Sequence, residues 1–168
     1  MGAHSELVEQ ATQRNEAGDF QRTGGDVATK PMFRSAFKRN RCITPASGYY
    51  EWKTTSASKQ RYYFTPKEGA ILSIAGIWDE WQNPETGKPL RSCSMMITEP
   101  NKVAAKVHDR MPVLLVPNQF ESWLSGKAGT EILRPAPDRM LTMRPVSTRV
   151  NSSRADDSDA TLIDAVAV

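Results

Sequence analysis

From residue 42 onward, short runs of β-branched and aromatic residues alternate with turn signals, and this rhythm limits the possible folds more than any other feature of the chain. The runs fall at 42–44, 48–53, 61–65, 70–78, 92–98, 112–116 and 142–147, with "TTSAS", "PKEG" and "NPETGKP" among the stretches between them. Val, Ile, Tyr, Phe and Trp suit a pleated, half-buried surface, whereas Gly, Pro, Asn and Ser supply the reversals. The pattern predicts an α+β domain with a curved, barrel-like, mostly antiparallel sheet and short flanking helices. Two helical pieces are predicted late in the chain, in 101–107 ("NKVAAKV") and in 118–124 ("NQFESWL"), the second opened by Pro117 and closed by Gly126.

The first part of the chain reads differently. Residues 5–17 predict a polar helix, with Ser5 as N-cap, Gly18 as its stop and a thin apolar face of Leu7, Val8 and Ala11. A glycine-rich connection follows. A second helix begins at Pro31, where Phe33, Ala36 and Phe37 recur at helical spacing. The chain therefore divides into a leader (1–26), one domain (27–155) and a tail (156–168) that is expected to dock only in part.

The net charge of +3 conceals an uneven distribution. Residues 30–41 hold Lys30, Arg34, Lys38, Arg39 and Arg41 and no acidic residue, whereas Asp156, Asp157, Asp159 and Asp164 lie in the tail. A basic helix of this kind serves either as a solvated face or as a site for phosphates. Cys42 and Cys93 match no metal or redox spacing, and their apolar contexts predict buried, reduced thiols. The chain has no glycine-rich phosphate loop and no HExxH, so neither a metal nor a cofactor is expected. It has no apolar run of the roughly 18 residues that a membrane span needs. Its first ten residues lack the pattern of a signal peptide, so a soluble, cytoplasmic protein without membrane contact is expected.

Within "GYYEWK" (48–53) a carboxylate interrupts an aromatic run. As a strand, this segment puts Tyr49, Glu51 and Lys53 on one face and Tyr50 and Trp52 on the other. Glu51 then faces either solvent or a pocket walled by rings. His108, in "KVHDRMPVLLV", precedes a strand-like run; it is either a hydrogen-bonded structural residue or a proton carrier. Aromatic rings beside basic side chains suit single-stranded nucleic acid, since bases stack for roughly 1–3 kcal/mol each.

Four stretches in register resemble the SOS-response-associated peptidase (SRAP) family: "KPMFRSAFKRNRCITPASGYYEWK", "AGIWDEW", "VHDRMPVLL" and "RPVSTRVNSSR". The resemblance spans roughly residues 27–155. It implies a protein of the DNA-damage (SOS) response that binds single-stranded DNA and covalently shields abasic sites, with removal of the initiator methionine as its self-processing, peptidase-like step. In that family an amino-terminal cysteine attacks the ring-opened sugar, forming first a Schiff base and then a thiazolidine. The family glutamate of "G-[FY]-Y-E-W" falls on Glu51, implying a general acid/base, and the histidine of "H-D-R-x-P" falls on His108, implying proton handling around the Schiff base. DNA contacts are implied for Lys30, Arg34, Lys38, Arg39, Arg41, Tyr50, Trp52 and Arg110. The chain departs from the family at residue 2, which is Gly2, and where Gln21 and Thr23 replace an Asn-Ala-Arg element. The family's first strands are expected to be absent, leaving sheet edges that favour a homodimer. The enzymatic class stays open between a lyase-like or hydrolase-like SRAP enzyme and a non-catalytic DNA-binding or protein-interaction remnant.

Overall fold

The computed structural model describes residues 27–54, 59–156 and 158–167. The predicted helix at 5–17 lies outside these residues. Helix α1 spans Pro31–Arg39 and begins, as its sequence suggests, with proline in the first turn. Strands β1 (Arg41–Ala46), β2 (Tyr49–Thr54), β3 (Lys59–Pro66), β4 (Leu72–Gln82) and β5 (Pro89–Met95) follow. A short ribbon is formed by β6 (Ile97–Thr98) and β7 (Met111–Pro112). Helix α2 (Phe120–Leu124) and strand β8 (Leu141–Val146) complete the main elements, and single 3₁₀ turns link them.

The architecture is α+β, with antiparallel strands and few, short helices. Among the described residues the strands do not close a barrel. They form a three-stranded sheet in the order β1-β4-β5, a second in the order β2-β3-β8, and the β6-β7 ribbon. Strand β4 is longer than the apolar run that predicts it, because Asp79–Gln82 continue the ladder with β5 out to Pro89. The run at 112–116 contributes little ladder: beyond β7 it joins the sheet at the single bridge Leu114–Ile74. The helical expectation at 101–107 contracts to a 3₁₀ turn at Ala104–Lys106.

Period-two alternation along β4 feeds two apolar clusters on opposite sides of the first sheet. Ala75 and Ile77 pack with Phe37 of α1 and Trp123 of α2, whereas Leu72 and Ile74 pack with Phe64 of β3 and Leu141 of β8. The first cluster holds a correction to the charge pattern. Arg41 is buried and donates to the carbonyls of Phe37 at 2.7 Å and Ala128 at 2.6 Å. Its guanidinium lies 4.2 Å from the Phe37 ring centre and 4.5 Å from that of Trp123. It starts a strand whose alternation turns residue 41 inward, so it ties α1 and α2 to the sheet and is not presented to a ligand.

The tail lies along the second sheet, with Ala165 bridging Val146 and the Val166 N–H donating to Pro145 O at 3.0 Å. Arg144 donates to Ile163 O at 2.6 Å, and Arg149 pairs with Asp159. The outer edge of β8 is therefore covered over this stretch. The cysteines correct a further expectation: Cys42 is half-buried and Cys93 is exposed, both as free thiols. No helix among the described residues is long and apolar enough to cross a membrane.

Candidate functional site

Strand β2 fixes Glu51 through a full ladder with β3, in which Tyr49 faces Phe64, Glu51 faces Tyr62 and Lys53 faces Gln60. Directly paired residues project from the same side of a sheet, so Glu51 sits among Tyr49, Tyr62 and the second apolar cluster. The Tyr49 and Phe64 rings stack at 4.9 Å with 7° between their planes. Burial in this setting pushes the Glu51 carboxyl above the usual carboxylate range; His108 and a hydrogen bond from the Trp52 backbone pull against it, and Asp109 adds a further upward push. The Tyr49 hydroxyl is buried without a hydrogen-bond partner, and burial, followed by the charge of Glu51, holds its pKa well above that of an ordinary tyrosine.

His108 reaches the site from a different part of the chain. Its N–H donates to Ala104 O at 3.0 Å, closing the 3₁₀ turn just before β7. Asn101 anchors that turn from below: its side-chain oxygen accepts from Val103 N and Ala104 N, and its amide donates to Ala136 O at 3.0 Å. His108 Nε2 then lies 3.9 Å from Glu51 Oε2. That spacing is too long for a direct hydrogen bond. Both groups can still reach one third atom placed beside them at hydrogen-bond distance.

The other ring nitrogen has two partners suited to different protonation states. The Arg110 backbone N–H points at Nδ1 from 3.2 Å, which suits a neutral ring with its proton on Nε2. Asp109 Oδ1 lies 3.0 Å from the same nitrogen, which suits the imidazolium. Both contacts leave Nε2 turned to Glu51.

The structure brings together some of the predicted site residues and separates others. Glu51 and His108 meet. Arg110 is half-buried and adjoins them through its backbone. Arg34, Lys38 and Arg39 are exposed on α1, Arg39 donating to Ser35, while Lys30 forms the N-cap position of that helix. Tyr50 and Trp52 occupy the opposite face of β2 from Glu51. Trp52 donates to Asn151 at 3.1 Å, and the Tyr50 ring lies 4.8 Å from that of Tyr63. There a cavity of about 340 Å³ is lined by Tyr50 and Tyr63 on one side and Asp159, Leu162 and Ile163 of the tail on the other. Sequence reasoning missed Asp109 and Asn101 as parts of the site. The spacing of Asn101 before "KVAAK" carries a capping signal, but its bond to Ala136 has no local signature.

Comparison with known proteins places this geometry in context. A family model described as SOS response associated peptidase (SRAP) matches residues 11–153, reaching back into the predicted leader. Abasic site processing protein YoaM of Bacillus subtilis is 34% identical over 145 residues, covering 83% of this chain and 63% of YoaM. Abasic site processing protein HMCES of Xenopus tropicalis is 32% identical, covering 76% of this chain and 45% of that protein. This chain thus spans about half to three-fifths of the length of these curated relatives. Among solved structures, a Bacteroides thetaiotaomicron protein superposes with a TM-score of 0.82 at 26% identity, covering 95% of this chain and 70% of that one. A Bordetella bronchiseptica protein gives a TM-score of 0.70, also at 26% identity, covering 87% and 72%.

Proposed function

The chain belongs to the SOS response associated peptidase family, and on that premise we propose that it acts on abasic sites in single-stranded DNA, with Glu51 and His108 as its proton-handling pair. The observation that carries this reading is the meeting of a half-buried carboxylate and an imidazole, 3.9 Å apart, from remote parts of the chain. A ring-opened abasic sugar presents an aldehyde and a hydroxyl. An amine attacking the aldehyde must lose protons, and the departing hydroxyl must gain one. Glu51, held above the usual carboxylate range by burial, donates and accepts near neutrality more readily than an exposed glutamate. His108 takes the complementary role, with Asp109 Oδ1 3.0 Å from its Nδ1.

The covalent step is the addition of a protein amine to the aldehyde with loss of water, giving a reversible Schiff base. The exposed cations of α1, Arg34, Lys38 and Arg39, would hold phosphates, with Arg110 closer to the reacting sugar. The domain doing this is residues 27–155, in a cytoplasmic, nucleoid-associated protein that self-associates through its remaining sheet edges.

The test is a denaturing gel after incubation with single-stranded DNA carrying one abasic site, with and without borohydride. The expected result is a shifted band only in the borohydride lane. A heat-stable band without borohydride overturns the reversible Schiff base. The second reading, a non-catalytic binder of single-stranded DNA, is favoured by the exposed cations Arg34, Lys38 and Arg39 of α1; its signature is no covalent band together with salt-sensitive binding on a native gel.

A further inference from the structure

The face of β2 that carries Tyr50 lines a cavity of its own, away from the Glu51–His108 pair. Tyr63, directly opposite Tyr50 in the β2–β3 ladder, backs it. The Tyr63 ring is buried, and its hydroxyl lies 3.1 Å from Ser47 Oγ. Its tip takes the space that a side chain at position 48 would need: a Cβ built on Gly48 would stand 2.5 Å from the ring carbon that bears the hydroxyl. Tyr50, half-buried, rests on this fixed ring at 4.8 Å between centres and lines the cavity of about 340 Å³. That volume falls at the lower end of small-ligand pockets. The opposite wall is the tail, held by Arg144 donating to Ile163 O and by Arg149 pairing with Asp159.

The cavity thus offers a flat ring on one wall and an acceptor on the other, since Asp159 lines the tail side. Its Oδ1 accepts from Thr161 Oγ1 at 2.6 Å and from Thr161 N at 2.9 Å, and its Oδ2 accepts from Arg149. A carboxylate has about four acceptor sites, so these donors, counted among the described residues, leave one site on Oδ2. An unpaired nucleobase matches both walls. Its face stacks on an aromatic ring, and the amino group of cytosine donates to a carboxylate, whereas thymine presents a carbonyl oxygen there, acceptor against acceptor. We propose that this cavity is a subsite for an unpaired nucleobase with an exocyclic amino group, stacked on Tyr50 and donating to Asp159. Its place along the DNA rests on the abasic-site reading. Strand β2 ends the β2-β3-β8 sheet, and Tyr50 and Glu51 are consecutive, about 3.8 Å apart at Cα. A DNA strand crossing that edge sets the abasic sugar on one side and an adjacent base on the other.

The test measures binding of intact oligo(dC) and oligo(dT) to the whole chain by fluorescence anisotropy at neutral pH, so that no abasic chemistry enters. Oligo(dC) is expected to bind about tenfold more tightly, from one hydrogen bond to a charged acceptor. Tyr50→Ala should weaken oligo(dC) binding by about fivefold or more, the lower end of what base–ring stacking supplies, and Tyr50→Phe should restore it. Asp159 caps the turn at Ala160–Ile163, a role that asparagine also fills. Asp159→Asn replaces one acceptor by a donor suited to the thymine carbonyl, so the preference for oligo(dC) should vanish. Circular dichroism of each variant separates loss of the subsite from loss of the fold. The proposal is overturned if wild type binds both oligomers equally, if folded Tyr50→Ala binds oligo(dC) as wild type does, or if folded Asp159→Asn keeps the preference. Borohydride capture of abasic DNA is a separate readout: capture without base preference overturns the subsite alone, and base preference without capture overturns the abasic-site reading alone.

Discussion

The two faces of β2 are built from similar residues and meet different surroundings. On one face Tyr49 and Glu51 sit against Phe64 and Tyr62, and the carboxylate looks across 3.9 Å to His108. On the other, Tyr50 lies against Tyr63 under the acidic tail, and Trp52 is tied to Asn151. Alternation along a strand gives each face its rings but does not choose which becomes a site. The choice falls to what each face meets: a histidine-bearing turn on one side, a tail on the other. The tail also changes the setting of the sequence's aromatic signal, since Tyr50, a natural platform for a base, shares a cavity with Asp159, Leu162 and Ile163.

The largest expected contrast between the faces is chemical. Glu51→Gln should lower borohydride-dependent capture of abasic DNA by about a hundredfold or more, within the usual range for a general acid/base, with DNA affinity nearly unchanged. Tyr50→Ala should leave capture at saturating DNA close to wild type. Equal losses in the two variants would break the comparison and make Glu51 structural.

Next in size is the response to salt. Replacing Arg34 and Lys38 together by Ala should weaken binding to single-stranded DNA and reduce its log–log salt slope by about 1.4, from roughly 0.7 per lost phosphate contact. Titrations at several salt concentrations measure this, and an unchanged slope removes α1 from the DNA-binding surface.

The buried hydroxyl on the Glu51 face supplies a stability test. Tyr49→Phe removes an unpartnered polar atom while keeping the ring stacked on Phe64, so it should stabilise the fold by about 1 kcal/mol. Denaturant unfolding reads the change; a loss of similar size would mean that the hydroxyl has a partner. On the tail face, Arg149→Ala removes an exposed ion pair with Asp159 and should cost no more than about 1 kcal/mol.

A pH series sharpens the role of Glu51 independently of DNA. Its folded-state pKa is raised, chiefly by burial, so the folded chain retains this proton at pH values where the unfolded chain has lost it. The contribution to stability is whole below the ordinary carboxylate range and is lost as pH rises through the raised value. Melting temperatures of wild type and Glu51→Gln, measured across that window, should diverge in favour of the glutamine variant as pH rises. Parallel curves would mean that Glu51 titrates as an exposed glutamate.

Much of this was legible locally. The strand runs, the proline-led start of α1 and the opposite orientation of Glu51 and Tyr50 follow from periodicity and turn chemistry, which act over a few residues. The cations at 30–41 were legible as a group but not as individuals. Arg34 and Lys38 stay on the solvent side of α1, whereas Arg41, just past the end of the helix, is carried inward to Phe37, Trp123 and Ala128. The thiols make the same point: their spacing in sequence signals nothing, and only the β1-β4-β5 order sets Cys42 opposite Gly76 and Cys93 opposite Trp78, on the two sides of one strand.

The sequence by itself determined the α+β class, the strand periodicity and the two residues, Glu51 and His108, on which a site would rest. The tertiary structure alone decided that these residues face each other, that Asp109 and the Arg110 backbone serve the two states of one ring nitrogen, and that the tail covers β8. The reason is physical: local pattern fixes which way a side chain points from its own strand or turn, whereas contact between remote segments depends on sheet order and loop path, which arise only when the whole core packs.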